Sequence, residues 1–357
     1  MGLNGGSGAV PVGEELSHGL GAFLSEVSGC DSLEIIALER LSGGAVQENY
    51  ALDALFSGGA LAGRQELVVR TDAPSGVAAS RSRADEFAVL KVAWEAGLKV
   101  PEPLWVCADA SRIGRAFYVM RRLPGDARGH KLVRDQELDA VRESLVERLG
   151  EELARLHAIE PPHPELGGLP QPPLSPAHSR IQEYRGYLDK LPVPHPTLEW
   201  GLRWLERKAP ASDEVVLCHC DYRTGNYLVE NGELSGILDW EFASWSDPLE
   251  DIAWFCARCW RFGQWRREAG GMGDRETFYR GYERVSGKSI NRELIPYWEV
   301  MATVRWAIIA LQQGHRHTSG EETSLELALT GRMVPEMELD ILMQIDNVNE
   351  RTFARAP

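Results

Sequence analysis

Short apolar-rich runs bounded by glycine turns open the chain. Leu33 to Leu41, Glu48 to Phe56 and Glu66 to Thr71 read as strands, with the turns Ser42-Gly43-Gly44-Ala45 and Ser57-Gly58-Gly59 between them. A short helix precedes them over Glu14–Val27 and ends before Ser28-Gly29. A second helix follows over about 83–96, with Phe87, Leu90, Val92 and Trp94 among its apolar positions. Pro101-Glu102-Pro103 opens a further strand, and Ala116 to Met120 is another β-rich run, ended by Leu123-Pro124-Gly125. Beyond this Pro-Gly the pattern changes period. Leu145, Leu149, Leu153 and Leu156 line one face of a helix expected over Leu138–Ile159. A Pro-rich connector, Pro161 to Pro176, leads to two shorter helices, Ser179–Leu191 and Thr197–Lys208. A strand–loop–strand comes next, and everything from Pro248 onward reads as helical.

The order predicts an α+β, bilobal fold: a β-rich N-terminal lobe with one main helix over residues 1–122, then a larger α-helical lobe over 123–357 that carries a small β-hairpin. The Pro-Gly at 124–125 is the expected hinge. No internal repeat appears. At 357 residues the chain is long enough for two cores.

Composition narrows the function classes. With 38 basic and 53 acidic residues the formal charge is −15, which argues against a nucleic acid or an anionic membrane as the general partner. The N-terminus lacks a basic and apolar leader, and the longest apolar run, Ala307 to Leu311, is far too short to span a bilayer. A cytoplasmic location is expected. The six cysteines read as reduced thiols rather than zinc ligands: Cys256 and Cys259 fall in an apolar helical run without a Gly-rich knuckle, and Cys218 falls in a strand.

The candidate chemistry lies in Val216-Leu217-Cys218-His219-Cys220-Asp221-Tyr222-Arg223-Thr224-Gly225-Asn226, followed by Gly236-Ile237-Leu238-Asp239-Trp240-Glu241. An Asp and an Asn stand five residues apart after one apolar strand, and a second strand delivers another Asp thirteen residues on. Phosphoryl transfer from ATP needs these three groups. One carboxylate accepts the proton of the attacking hydroxyl, and an amide and a second carboxylate hold the Mg2+ that bridges the phosphates. Asp221 is thus the expected base, and Asn226 and Asp239 the magnesium ligands, whose oxygen donors suit a hard cation. Arg223 has two readings, a bidentate contact to the transferred phosphoryl group or a loop ion pair with a neighbour such as Asp247. Glu241 has two as well, a contact to metal-bound water or a solvated carboxylate.

The run from His219 to Asp251 resembles the signature of the aminoglycoside phosphotransferase and choline kinase superfamily. The likeness extends to Leu41-Ser42-Gly43-Gly44, Leu67-Val68-Val69-Arg70, Glu86, Phe117-Tyr118-Val119-Met120, Leu153-Ala154-Arg155-Leu156-His157 and Asp247-Pro248-Leu249-Glu250-Asp251. Asp-Tyr-Arg-x-Gly-Asn and Leu-Asp-Trp-Glu are most similar to the branch related to the kinase domain fused to some acyl-CoA dehydrogenases. The resemblance implies a protein-kinase-like fold, with Ser42, Gly43 and Gly44 as a flap over the ATP phosphates and Met120 at the nucleotide. It also puts Arg70, where most of the superfamily has Lys, on the α- and β-phosphates and paired with Glu86. Cys220 replaces the Gly usual before the base. His219 is expected to orient the loop, and Asp251 to brace it.

The same resemblance ranks the small-molecule hydroxyl acceptor: a hydroxyacyl-CoA or related metabolite first, and an aminoglycoside or macrolide antibiotic second. A nucleotide-binding pseudokinase or regulatory module is the alternative of another class. Between Ile252 and Thr318 eleven basic residues outnumber six acidic ones and are interleaved with Trp254, Trp260, Trp265, Trp298 and Trp306. Read as an acceptor wall, this segment suits an anionic or apolar substrate better than a polycation.

Overall fold

The computed structural model describes residues 13–41, 47–72, 81–212 and 214–354, the side chains of 351–354 excepted. These residues form two compact units. The first comprises the chain to Pro124 together with Ser235–Phe242; the second comprises Gly125–Leu234 and Ala243 onward. A single division after residue 122 does not describe this return of eight residues to the first unit.

The first unit is built on a five-stranded sheet. Its strands are β1 (Ser32–Arg40), β2 (Gln47–Ser57), β3 (Gly63–Asp72), β4 (Pro103–Cys107) and β5 (Phe117–Arg121), in the order β1-β2-β3-β5-β4, every pair antiparallel. Strand alternation sorts their side chains by face. Leu67, Val69, Phe117 and Val119 point to one face, where Leu20, Phe23 and Leu24 of helix α1 (Glu14–Ser28) complete a core with Leu52, Ala54 and Phe56. The intervening positions, Val68, Arg70, Tyr118 and Met120, belong to the other face; Arg70 is paired in register with Tyr118, and Val68 with Met120. Helix α2 (Arg83–Glu95) packs on that face, its Phe87 ring edge-on to Tyr118 at 5.9 Å. Ser82 caps α2 by accepting the Asp85 N–H at 3.1 Å.

The second unit is helical around short strands. Its elements are α3 (Gly129–Arg134), α4 (Arg142–Leu156), α5 (Pro176–Leu188), α6 (Pro196–Lys208), β6 (Val216–Cys218) and β7 (Tyr227–Glu230). There follow β8 (Glu233–Ile237), whose last residues return to the first unit, then β9 (Ser244–Ser246), α7 (Pro248–Cys256), α8 (Arg275–Ser286), α9 (Ile295–Thr318), α10 (Leu325–Arg332) and α11 (Val334–Ala354). Helix α9 packs against α6, α7, α10 and α11. Every residue of α7 is buried. Two boundaries differ from the sequence expectation for one reason: Pro176 and Pro196 stand at helix N-termini, where a missing N–H costs nothing, instead of closing the preceding loops. The expected helix from Leu138 begins only at Arg142, after a short 3-10 turn, and between α7 and α8 the chain holds only a 3-10 turn at Arg258–Arg261 where continuous helix was expected. No helix among the described residues is long and apolar enough to cross a membrane.

Candidate active site

Strand β6 is buried throughout and delivers His219, Cys220 and Asp221 at its end. The turn after it is held from α7. Asp251 is fully buried and accepts the backbone N–H groups of His219 at 2.6 Å and of Cys220 at 2.8 Å. Burial opposes its charge, but the His157 hydrogen bond at 3.2 Å and the nearby His219 outweigh that and hold its carboxyl below the usual range. His219 Nδ1 in turn accepts the Asp221 N–H at 3.2 Å. Both residues orient the loop, as their positions in the motif imply. Cys220 has φ +58°, which explains why glycine is the usual residue there. Burial pushes its thiol up to about 12, so it stays neutral.

Asp221 is 9% exposed, and three donors grip its carboxylate. Asn226 Nδ2 reaches Oδ2 at 2.6 Å, Arg223 Nε lies 3.1 and 3.2 Å from the two oxygens, and the Trp254 indole N–H reaches Oδ1 at 2.9 Å. Because the Asn226 amide nitrogen is directed at Asp221, its oxygen takes no part in these bonds. Gly225 makes the turn possible with φ +110°; a Cβ there would come within 2.7 Å of Arg223 Nη1. Arg223 pairs with Asp221, not Asp247, and its guanidinium lies over the Trp260 ring at 4.4 Å. Asp247 instead caps α7 through the Leu249 N–H.

The remaining described candidates belong to the first unit. Arg70 is 4% exposed, and its Nε meets Glu86 at 2.8 Å, the pair expected from the motif. Burial opposes the Arg70 charge, yet Glu86, Asp239 and Glu241 together hold the guanidinium well above its ordinary range. Its Nη1 contacts Asp239 Oδ1 at 2.8 Å. Asp239 has φ +65°, a left-handed conformation that Asp tolerates better than bulkier residues do. Glu241 is buried, so its solvated reading is replaced: Gln47 donates to it at 3.0 Å and its backbone carbonyl accepts the Arg81 N–H. Burial, reinforced by Asp239 and Glu86, raises its carboxyl above the usual range despite Arg70. Met120 lies on the Arg70 face of β5. Ser42, Gly43 and Gly44 lie outside the described residues.

Several participants carry no local sequence signal. Trp254 sits in an apolar helix and reads as core. Arg83 has no exposed side-chain surface and pairs with both Glu86 and Asp72, so that two guanidiniums share one buried carboxylate. Arg180, from α5, reaches Glu250, Ser244 and Cys220. The partners of Trp254 and Arg180 are remote along the chain.

The basic, aromatic segment Ile252–Thr318 is not an open cationic wall. Ten of its eleven basic side chains are in ion pairs, among them Arg258 with Asp340, Arg275 with Glu268 and Glu299, and Arg292 with Glu276 and Glu283. Arg261 is buried and donates to the Cys256 carbonyl. Trp254, Phe255, Trp260, Tyr297 and Trp298 are core.

Known proteins resemble this chain in sequence and in fold. The family model described as "Phosphotransferase enzyme family" matches residues 37–287. An orangutan (Pongo abelii) protein named acyl-CoA dehydrogenase family member 11 is 27% identical over 353 residues, covering 90% of this chain and 43% of that protein. Mouse (Mus musculus) acyl-CoA dehydrogenase family member 10 is 30% identical over 206 residues, 55% of this chain and 18% of its own length. The chain thus spans less than half the length of these curated relatives. Among solved structures, a Ralstonia eutropha protein assigned to the aminoglycoside phosphotransferases aligns with a TM-score of 0.73 at 19% identity, covering 93% of this chain and 98% of that one. A ternary complex of aminoglycoside phosphotransferase APH(4)-Ia with AMP-PNP and hygromycin B aligns with a TM-score of 0.57 at 16% identity, covering 91% and 98%. These likenesses establish the α+β, bilobal, kinase-like fold. With most of its length matched by the family model and its loop residues in the family's pattern, the chain belongs to the phosphotransferase enzyme family.

Proposed function

We propose that the protein transfers the γ-phosphoryl group of ATP to a hydroxyl of a small molecule, with Asp221 as general base. The observation that carries this reading is the Asp221 carboxylate itself, buried at the end of a strand and gripped by Asn226, Arg223 and Trp254. In the reaction the acceptor oxygen bonds to the γ-phosphorus as the bond to the β–γ bridging oxygen breaks. Asp221 takes the hydroxyl proton, and ADP leaves. Arg70, fixed by Glu86, contributes a permanent positive charge toward the phosphates. The motif supplies two oxygen donors of the kind that Mg2+ takes, the Asn226 amide and the Asp239 carboxylate. When bound, magnesium neutralises the charge of the phosphates.

The acceptor we assign is a hydroxyacyl-CoA or a related acyl metabolite. Similarity over 90% of this chain to a protein named as acyl-CoA dehydrogenase family member 11 supports it. The charge of the Ile252–Thr318 segment does not, because all but one of its basic side chains are already in ion pairs. The test is acceptor-dependent ADP release with magnesium and a panel of hydroxyacyl-CoAs, aminoglycosides, macrolides and choline. Turnover is expected with an acyl thioester. Asp221→Asn should cut it by about a hundredfold or more with the ATP Michaelis constant nearly unchanged. Turnover only with an aminoglycoside would overturn the acceptor, and ATP binding with no acceptor-dependent ADP release would mark a pseudokinase.

A further inference from the structure

Two of the three donors on Asp221 belong to its own loop. The third does not. Trp254 is carried by α7, the helix whose Asp251 holds the loop backbone, and the two residues are three positions apart, hence on one helix face. One face of α7 therefore fixes the loop twice, at the His219 and Cys220 amides and at the Asp221 carboxylate.

The indole cannot follow a wandering carboxylate. Trp254 is 1% exposed, the Arg305 guanidinium covers its ring at 4.3 Å, and Trp260 packs edge-on to it at 5.3 Å. Trp260 in turn supports Arg223 at 4.4 Å, and Arg223 returns to Asp221. The four side chains close a ring. An aspartate's terminal torsion is broad, so its carboxylate turns freely unless donors hold both oxygens. Arg223 and Asn226 move with the loop; Trp254 is the external reference. Being neutral, it orients the carboxylate without adding a further charge to it.

We propose that Trp254 is a positioning residue for phosphoryl transfer: its indole N–H fixes Asp221 Oδ1 and so aims the carboxylate at the acceptor hydroxyl. This rests on Asp221 being the base. The test replaces only the N–H. Site-specific β-(3-benzothienyl)alanine at position 254 keeps the ring shape and removes the donor, and Trp254→Phe is its genetic counterpart. Turnover is read as ATP hydrolysis with water as acceptor, beside Asp221→Asn. A hydrogen bond to a charged group of this kind predicts a fall of about tenfold in kcat, with the ATP KM within about twofold. 4-Fluorotryptophan at 254, which retains the N–H, should restore turnover. In nitrogen-15 spectra the Trp254 indole N–H, assigned by its absence in Trp254→Phe, should be protected from exchange and lose that protection in Asp221→Ala. Turnover lost in Asp221→Asn but unchanged with benzothienylalanine would overturn the positioning role alone. Turnover retained by Asp221→Asn would remove the base, and this proposal with it.

Discussion

Asp247 carries a burial cost that its neighbours do not cancel. Burial, more than Glu214 or Glu250, pushes its carboxyl from an ordinary 3.8 up to about 6, against the Leu249 N–H and Ser212. Between those values the folded protein keeps a proton that the unfolded chain releases. Its contribution to stability therefore falls as pH rises from about 4 to about 6 and stays low above that. Asp247→Asn removes the ionisation but retains an acceptor for the helix cap. Its unfolding free energy should gain on the parent's by about 2 to 3 kcal/mol between pH 4 and pH 7. Urea titrations across that range decide it, and parallel stability–pH curves for the two proteins would refute it. The spacing that phosphoryl transfer would require singles out Asp221, Asn226 and Asp239 in one motif, and the Arg70–Glu86 pair forms as the family likeness implies. Trp254 and Gln47 were not legible, since each is recruited across the fold by a partner far away in sequence.

Helices α4 and α8 touch through their backbones. A Cβ on Gly150 would collide with the Phe278 carbonyl, and one on Gly281 with that of Glu147. Such an approach is possible only without side chains at the crossing, so these glycines set the separation of the two helices. Gly281→Ala should destabilise the fold by more than about 2 kcal/mol, although alanine is the better helix former. Gly186 in α5 is the matched control, because a Cβ there meets nothing within 4 Å. Gly186→Ala should be neutral or stabilising by up to about 1 kcal/mol. Equal effects at the two positions, in chemical denaturation, would refute the crossing argument. Strand and helix identities followed from apolar patterning, with edges shifted where Pro176 and Pro196 opened helices. This crossing left no such mark: a glycine in a helix reads alike whether it faces water or another backbone.

The path of the chain through the two units decides which groups surround Asp239. Residues 235–242 return to the first unit and bring Asp239 and Glu241 to Arg70 and Gln47, a return that the break in pattern at Pro124-Gly125 does not announce. Without nucleotide, Asp239 Oδ1 is held by Arg70 Nη1 at 2.8 Å. A cation alone must compete with that guanidinium at the same carboxylate. In the reaction proposed above, ATP would change the balance, since its phosphates would accept from Arg70 and ligate the ion together. Magnesium without nucleotide should thus leave the thermal midpoint of the whole protein unmoved. Magnesium with ATP at about a hundredfold excess over Kd should add about 2.7 kcal/mol, enough to raise that midpoint by a few degrees. ATP with a chelator should give much less. In Asp239→Ala the difference between ATP with magnesium and ATP with chelator should vanish, while the Asp221→Asn protein keeps it. Thermal scans of the three proteins without ligand, with magnesium, with magnesium and ATP, and with ATP and chelator test this, and an undiminished magnesium-dependent shift in Asp239→Ala would remove Asp239 from the metal site.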